Sequence, residues 1–191
     1  MPETFRTFIA IELPADVRAR VVQHIHSLRR EIPDVRASWS RDDNLHLTLK
    51  FLGNVPVTDI PKVSDAVAGA TRSVSSFELT FAGCGTFPPR GRPSVLWIGA
   101  QAAGLHDLHV ALENELEGRG FPRESRPFHP HLTIARLRNS QGARQLADFQ
   151  QSLGFAPVAF TVSELVVFRS ELLKQGSKHT AISRHPLAQG K

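Results

Sequence analysis

Two short stretches of the 191-residue chain are nearly alike: HLTLKFL at residues 46–52 and HLTIARL at residues 131–137. In each, polar and apolar residues alternate from the histidine to the aliphatic residue after the threonine, which is the periodicity of a β-strand. The histidine and the threonine two positions later should therefore project from the same face. Because one copy lies in each half of the chain, we expect each half to contribute one His and one Thr to a shared cleft.

The rest of the chain alternates short strand patterns with amphipathic helix patterns. Strands are predicted at residues 5–13, 35–39, 45–52, 77–83 and 94–99, from about 128, and at 156–168, and helices at 14–31, 56–74, 102–118 and 142–153. A final hairpin should turn at 174–178, and 186–191 should be a frayed tail. This order predicts an α+β fold with mostly antiparallel hairpins and helices on the outer faces. The repeated motif suggests approximate two-fold symmetry.

Composition limits the class of protein. The chain is 41% hydrophobic, enough for a core, and no apolar run approaches the length of a membrane span. The N-terminus lacks the basic start and the apolar core of a signal peptide. A single cysteine, Cys84, excludes an internal disulfide and fits a reducing cytoplasm, where we expect the protein. No composition shift marks a linker, so we expect residues 1–191 to form one domain of two lobes, and a monomer.

The charge favours an anionic partner. Lys and Arg number 23 against 18 Asp and Glu, and most of the basic residues are Arg. Arginine makes planar, bidentate contacts to phosphate, so an Arg-rich chain favours RNA, DNA or nucleotides as partners. Arg90 and Arg92 lie on the Gly/Pro-rich segment 86–93, which is either a phosphate-contacting loop or a solvated one.

Other kinds of catalytic site have little support in the sequence. His106 and His109 have helical i, i+3 spacing, but no third metal ligand accompanies them. Cys84 lies between two glycines after an apolar run, which indicates a structural thiol rather than a nucleophile. The Gly-x-Ser-x-Gly pattern of serine hydrolases does not occur. The paired histidines are then the candidate catalytic groups, and the alternative is that both are structural strand residues.

Two histidines across a cleft suit general acid–base catalysis. A neutral imidazole accepts a proton from the nucleophile and a protonated one gives a proton to the leaving oxygen, and an ordinary pKa near 6.5 allows both. Threonine hydroxyls can donate hydrogen bonds to non-bridging phosphate oxygens. This set favours a reactive phosphodiester that needs no metal, and a ribose 2′,3′-cyclic phosphate is the obvious candidate.

The two motifs occur with flanking blocks that resemble a known superfamily. The blocks are FIAIELP at 8–14, HLTLKFLG at 46–53, PSVLWIG at 93–99 and FHPHLTIAR at 128–136. Together they resemble the 2H phosphoesterases, and within them the RNA 2′,3′-cyclic phosphodiesterases, also called 2′-5′ RNA ligases. The resemblance covers nearly the whole chain. It implies two pseudo-symmetric antiparallel sheets around a central cleft, and hydrolysis of RNA 2′,3′-cyclic phosphate to a 2′-phosphomonoester without metal or cofactor.

The resemblance also implies roles for individual residues. His46 would donate a proton to the leaving 3′ oxygen and His131 would accept one from water. Thr48 and Thr133 would hold the phosphate.

Two further substrate contacts follow from the same resemblance. Arg136 would contact the phosphate or another part of the substrate, and Phe51 would contact a base. A regular strand would turn both away from the histidines, so a bulge or a strand end must intervene. His179 stands where the family often has Tyr.

Two other functions remain open on these residues. The same site can join a 2′,3′-cyclic phosphate end to a 5′-hydroxyl end, which makes it a 2′-5′ RNA ligase. A non-catalytic RNA-binding module is supported by the arginine content and opposed by the intact His and Thr pairs. The expected partners are RNA ends or nucleotides that carry a 2′,3′-cyclic phosphate, and the residues do not separate these two.

Overall fold

The computed structural model describes residues 2–138, 142–173 and 176–189. The strands are β1 (Thr4–Glu12), β2 (Ala37–Trp39), β3 (His46–Pro56), β4 (Phe77–Phe87), β5 (Val95–Gln101), β6 (His131–Leu137), β7 (Val158–Val162), β8 (Glu164–Leu173) and β9 (Gly176–Pro186). The helices are α1 (Ala15–Glu31), α2 (Ile60–Arg72), α3 (Ala103–Glu117) and α4 (Ala143–Leu153). The predicted α+β class is therefore confirmed.

The strands form two antiparallel sheets, of four and five strands. The first sheet has the order β3-β1-β8-β9 and the second has the order β2-β6-β5-β4-β7. The two motif strands, β3 and β6, take corresponding positions beside β1 and β5, except that β3 is an edge strand whereas β2 pairs with the other side of β6. This arrangement confirms the two pseudo-symmetric sheets that the sequence predicted.

Each sheet takes strands from distant parts of the chain. The chain crosses from the second sheet to the first at Ser163, between β7 and β8. The prediction of one strand over 156–168 was therefore wrong. Its apolar residues change phase between Val162 and Leu165, which is where the strand breaks. Because both sheets interleave in the chain, we propose that residues 1–191 form one domain of two lobes.

The helices cover the outer faces through apolar stripes. On α1 the side chains of Val17, Val21, Ile25 and Leu28 are buried at helical spacing. Full burial of one such side chain stabilises the fold by about 1.5–3 kcal/mol. Helix α2 lies against β8 and β9 and packs on α3, whereas α4 lies against β4 and contacts α1. Within the described ranges, no helix is long and apolar enough to cross a membrane.

The C-terminal segment is more ordered than the sequence suggested. The predicted hairpin of β8 and β9 is present. Of the predicted turn 174–178, residues 176–178 belong to β9 instead, and Lys174 and Gln175 lie outside the described residues. The prediction of a frayed tail over 186–191 was wrong for residues 186–188, since β9 extends to Pro186. Leu187 is only 5% exposed, and the backbone N–H of Ala188 lies 3.1 Å from the carbonyl oxygen of Thr71. Residues 190–191 lie outside the described part.

Candidate active site

The two motif strands meet where the sheets adjoin, since Cα atoms of β3 and β6 come within 8 Å of each other. His46, Thr48, His131 and Thr133 are each half-buried. The leucine inside each motif, Leu47 or Leu132, is fully buried in the core. The alternation in the sequence thus places each histidine and its threonine on the face of their strand opposite the buried leucine.

Each motif strand contains one extra residue directly after the threonine. In β3, Thr48 lies opposite Ala10 and Lys50 lies opposite the preceding residue of β1, so Leu49 is the extra one. In β6, Thr133 and Ala135 lie opposite consecutive residues of β5, so Ile134 is the extra one. The two bulges occupy the same place in both motifs and reverse the alternation of the residues that follow.

These bulges return Phe51 and Arg136 to the face that carries the histidines. Phe51 is 62% exposed, and its ring centroid lies 5.9 Å from that of Phe8. The Phe8 ring in turn stacks on the ring of His46 at 4.7 Å. Arg136 follows Ile134 by two positions and is exposed. The interruption that the sequence required for these two residues is therefore present.

His46 lies in an apolar part of the cleft. Its ring packs on Phe8, and the ring of His179 lies edge-on at 5.1 Å. Burial and then the charge of His179 lower the pKa of His46 to about 4, against a backbone hydrogen bond with Asn44 that raises it. The free protein therefore holds His46 neutral at pH 7. An anion beside the ring favours the protonated form.

The ring of His131 is oriented by its own backbone. Its Nδ1 lies 2.6 Å from the carbonyl oxygen of His129, so Nδ1 carries the hydrogen and donates it. Nε2 of the neutral ring is then the proton acceptor. Burial lowers the pKa of His131 and Arg136 lowers it further, while the hydrogen bond to His129 raises it. The ring of Phe87 packs edge-on against it at 4.9 Å.

The N-terminal half of the chain also fixes the second motif strand. Ser40 follows β2 and donates a side-chain hydrogen bond of 2.8 Å to the carbonyl oxygen of Thr133. Its backbone N–H donates to the carbonyl of Ile134 at 2.9 Å. Both bonds are made to carbonyl groups at the bulge, so they stabilise the irregular backbone between Thr133 and Arg136.

His179 is a cleft residue that the sequence did not mark as a functional candidate. Strands β1 and β8 separate β9 from β3, yet the first sheet curls enough to bring the rings of His179 and His46 together. Asn44, just before the first motif, also donates to the carbonyl of Ser177 on β9 at 2.7 Å. No local sequence pattern predicts this contact, because it depends on the curvature of the whole sheet.

Arg90 and Arg92 are exposed at the tip of the hairpin that joins β4 to β5. In β5, Val95 lies opposite Arg136. The tip thus adjoins the end of β6 that carries Arg136.

The other candidate groups have structural roles in this fold. His109 stacks on Phe128 at 3.9 Å, and Cys84 lies within β4, where burial raises the pKa of its thiol. Across the three described ranges, no group of three His, Cys, Asp or Glu side chains is placed to hold a metal ion. The cleft itself presents imidazole, hydroxyl and guanidinium groups.

A family model described as the 2′-5′ RNA ligase superfamily matches residues 13–172. The chain belongs to this superfamily. The match includes both motif strands and ends within β8, so β9 and His179 lie beyond it.

Curated proteins similar to this chain carry the name RNA 2′,3′-cyclic phosphodiesterase. The protein from Thermotoga maritima is 31% identical over 90% of this chain and 89% of its own length. The protein from Escherichia coli K12 is 30% identical over 99% of this chain and 100% of its own. A relative from Geobacillus stearothermophilus is 30% identical over 94% of this chain, which spans only 56% of that relative's length.

Solved structures of other proteins share the whole fold. The crystal structure of a protein from Thermus thermophilus matches with a TM-score of 0.82 and 28% identity, over 97% of this chain and 100% of that one. Escherichia coli LigT complexed with 3′-AMP matches with a TM-score of 0.76 and 28% identity, over 98% of this chain and 100% of that one.

Proposed function

We propose that this protein hydrolyses the 2′,3′-cyclic phosphodiester at an RNA end to a 2′-phosphomonoester, with two histidines and no metal ion. The observation that carries the proposal is the close approach of two His-x-Thr strands, whose Cα atoms come within 8 Å of each other, with the Nε2 of His131 left as proton acceptor. The names of the curated relatives support the same reaction.

The proton transfers follow from the two histidine environments. His131 accepts a proton through Nε2 from a water molecule, whose oxygen forms a bond to phosphorus. The bond from phosphorus to the 3′ oxygen breaks, and protonated His46 donates its proton to that oxygen. The phosphate remains on the 2′ oxygen.

The negative charge of the substrate favours the protonated form of His46. The pKa of His46 is about 4 in the free protein because the ring is buried. A negatively charged phosphate beside the ring stabilises the imidazolium and raises that pKa. Protonation of the donor is thereby linked to occupancy of the cleft.

The hydroxyls of Thr48 and Thr133 donate hydrogen bonds to the non-bridging oxygens, which gain charge in the transition state. Arg136 adds positive charge on the same face, and Phe51 offers an exposed ring to a base. Arg90 and Arg92 contact the backbone of a longer RNA. Substrates are RNA ends or nucleotides with a 2′,3′-cyclic phosphate, bound by a monomer in the cytoplasm.

The superfamily description supports ligation as a second candidate function. A 5′-hydroxyl then takes the place of water, and His131 accepts its proton. Bulk water favours hydrolysis of simple substrates, whereas an RNA that aligns its two ends favours joining.

The deciding experiment incubates the protein with EDTA and an RNA ending in 2′,3′-cyclic phosphate, and identifies the products. We expect a 2′-phosphomonoester, and a loss of about 10²-fold or more in both His46→Ala and His131→Ala. His106→Ala, on the exposed side of α3, is the matched control. A persistent cyclic end, a 3′-phosphomonoester or equal rates in all variants contradicts the proposal. RNA binding without ring opening supports the binding module instead.

A further inference from the structure

Three aromatic rings from three strands meet at the floor of the cleft. The centroid of Phe8 lies 4.7 Å from that of His46 and 4.9 Å from that of His179. The two imidazoles are 5.1 Å apart with an angle of 72° between their planes. His46 therefore has a second titratable ring as its neighbour, on a strand that carries neither motif.

The ring of His179 is not tied down as the ring of His131 is. Within the described part of the chain, its Nδ1 is buried and has no hydrogen-bond partner. An apolar side chain would fill the same space without a buried, unpaired nitrogen. The imidazole is therefore poorly explained by packing alone.

We propose that His179 is a positioning residue that competes with His46 for one proton and so sets the pH range in which His46 is charged. The inference rests on the proposed function, in which His46 is the proton donor. Two imidazolium ions at this separation in a half-buried cleft repel each other, so the pair takes up its first proton more readily than its second.

Charged groups from neighbouring elements bias this competition. Burial lowers the pKa of His179, Asp43 in the short 3₁₀ turn Asp42–Asn44 raises it, and Arg6 of β1 lowers it. Asp43 is itself paired with Arg41 at 3.3 Å.

Two other neighbours complete the surroundings of the pair. Glu12 lies opposite His46 on β1, but its carboxylate is held by Arg184 at 2.5 Å. On β8 the residue opposite His179 is the neutral Ser170. Asp43 is thus the acidic group that bears on His179, and it favours the first proton going there.

As a consequence, His46 becomes protonated when the substrate binds, and mild acid alone does not protonate it. As pH falls, His179 takes the proton and its charge keeps His46 neutral down to about pH 4. A phosphate bound against His46 reverses the preference and draws the proton onto the donor. The number of protons on the pair then stays at one.

The test follows the imidazole signals of His46 by NMR in the free protein, with His179→Gln and His179→Lys as opposite variants. The glutamine removes the competing charge, so the pH at which His46 is half protonated (the His46 midpoint) should rise by about 0.5–1 unit. The lysine carries a permanent charge and should lower the His46 midpoint. Asp43→Asn, at an exposed site, should raise it slightly, and it serves if a His179 variant does not fold.

Kinetics provide the second readout. The ratio of kcat/KM in His179→Gln to kcat/KM in the unchanged protein should be near 1 at pH 8. The same ratio should rise several-fold near pH 5.5. His179→Lys should lose several-fold at pH 8. A residue that only packs would change the rate by one factor at every pH and leave the His46 midpoint in place, and that result overturns the inference. If no cyclic phosphate is opened, the NMR arm still decides it.

Discussion

The Nζ atom of Lys50 lies 2.7 Å from Oε1 of Glu113, and both side chains are only 5% exposed. Lys50 belongs to the first motif strand and Glu113 to α3. The same ammonium donates to the carbonyl of Pro122, and the carboxylate accepts from the backbone N–H of Glu124. One buried ion pair thus ties the first motif to the segment that leads into the second.

Replacing Lys50 with Met should therefore cost much of the stability of the fold. The change leaves the carboxylate of Glu113 buried without its partner, and we expect a loss of about 3–5 kcal/mol in the free energy of unfolding. Urea denaturation measures it. Lys62→Met removes the exposed pair with Asp59 and should cost less than about 1 kcal/mol. Equal losses in both variants would contradict the assigned role.

The two threonine hydroxyls should act on the rate rather than on the fold. Thr48→Val and Thr133→Val keep the shape of the side chain and remove the donor. We expect each to lower kcat by about 10- to 10³-fold, because a donor that meets developing charge is lost. Thr80→Val in β4, away from either motif, is the comparison. Valine variants with unchanged kcat would remove the hydroxyls from the mechanism.

Phe51 should matter only for substrates that carry a base. The side chain is 62% exposed, so Phe51→Ala should leave the midpoint of thermal unfolding nearly unchanged. Loss of a stacked base costs about 1–3 kcal/mol, so KM for a nucleoside 2′,3′-cyclic phosphate should rise several-fold or more. A ribose cyclic phosphate without a base is the control, and an equal change for both substrates would exclude base stacking.

Stability should fall as pH is lowered through the range in which the buried histidine resists protonation. The pKa of His46 is about 4 in the folded protein against 6.5 ordinarily, so the unfolded chain binds the proton first. Above pH 6.5 the ring is neutral in both the folded and the unfolded state, and His46 does not lower the stability. As pH falls from 6.5 to about 4, the unfolded chain binds a proton that the folded protein does not, so the free energy of unfolding declines. In urea denaturation between pH 7 and pH 4, His46→Asn should flatten this decline. Equal slopes would show that His46 is not held neutral.

The paired motifs predict much of the site because their information is local. Alternation alone places His46 with Thr48 and His131 with Thr133, and the apolar stripe of α1 predicts that helix. The bulges at Leu49 and Ile134 were required by the chemistry, but their position depends on pairing with β1 and β5. A single strand carries no record of its partner's register.

The remaining features depend on the whole fold. The break at Ser163 separates two strands that pair with different sheets, and the sequence marks it only by the change of phase between Val162 and Leu165. Leu187 is buried only because the segment after β9 packs near Thr71 of α2. His179 contacts His46 because the four-stranded sheet curves, and no short stretch of sequence predicts that curvature.

The order β3-β1-β8-β9 has a consequence for synthesis on the ribosome. Strand β1 emerges early, but its second neighbour, β8, is made only after residue 164. Until then the nascent chain carries an open edge beside Phe8 and Ala10, two side chains that end fully or almost fully buried. Such edges promote association between unfinished chains. An mRNA truncated before the codons of β8 should therefore yield a protein that aggregates rather than a shorter active enzyme.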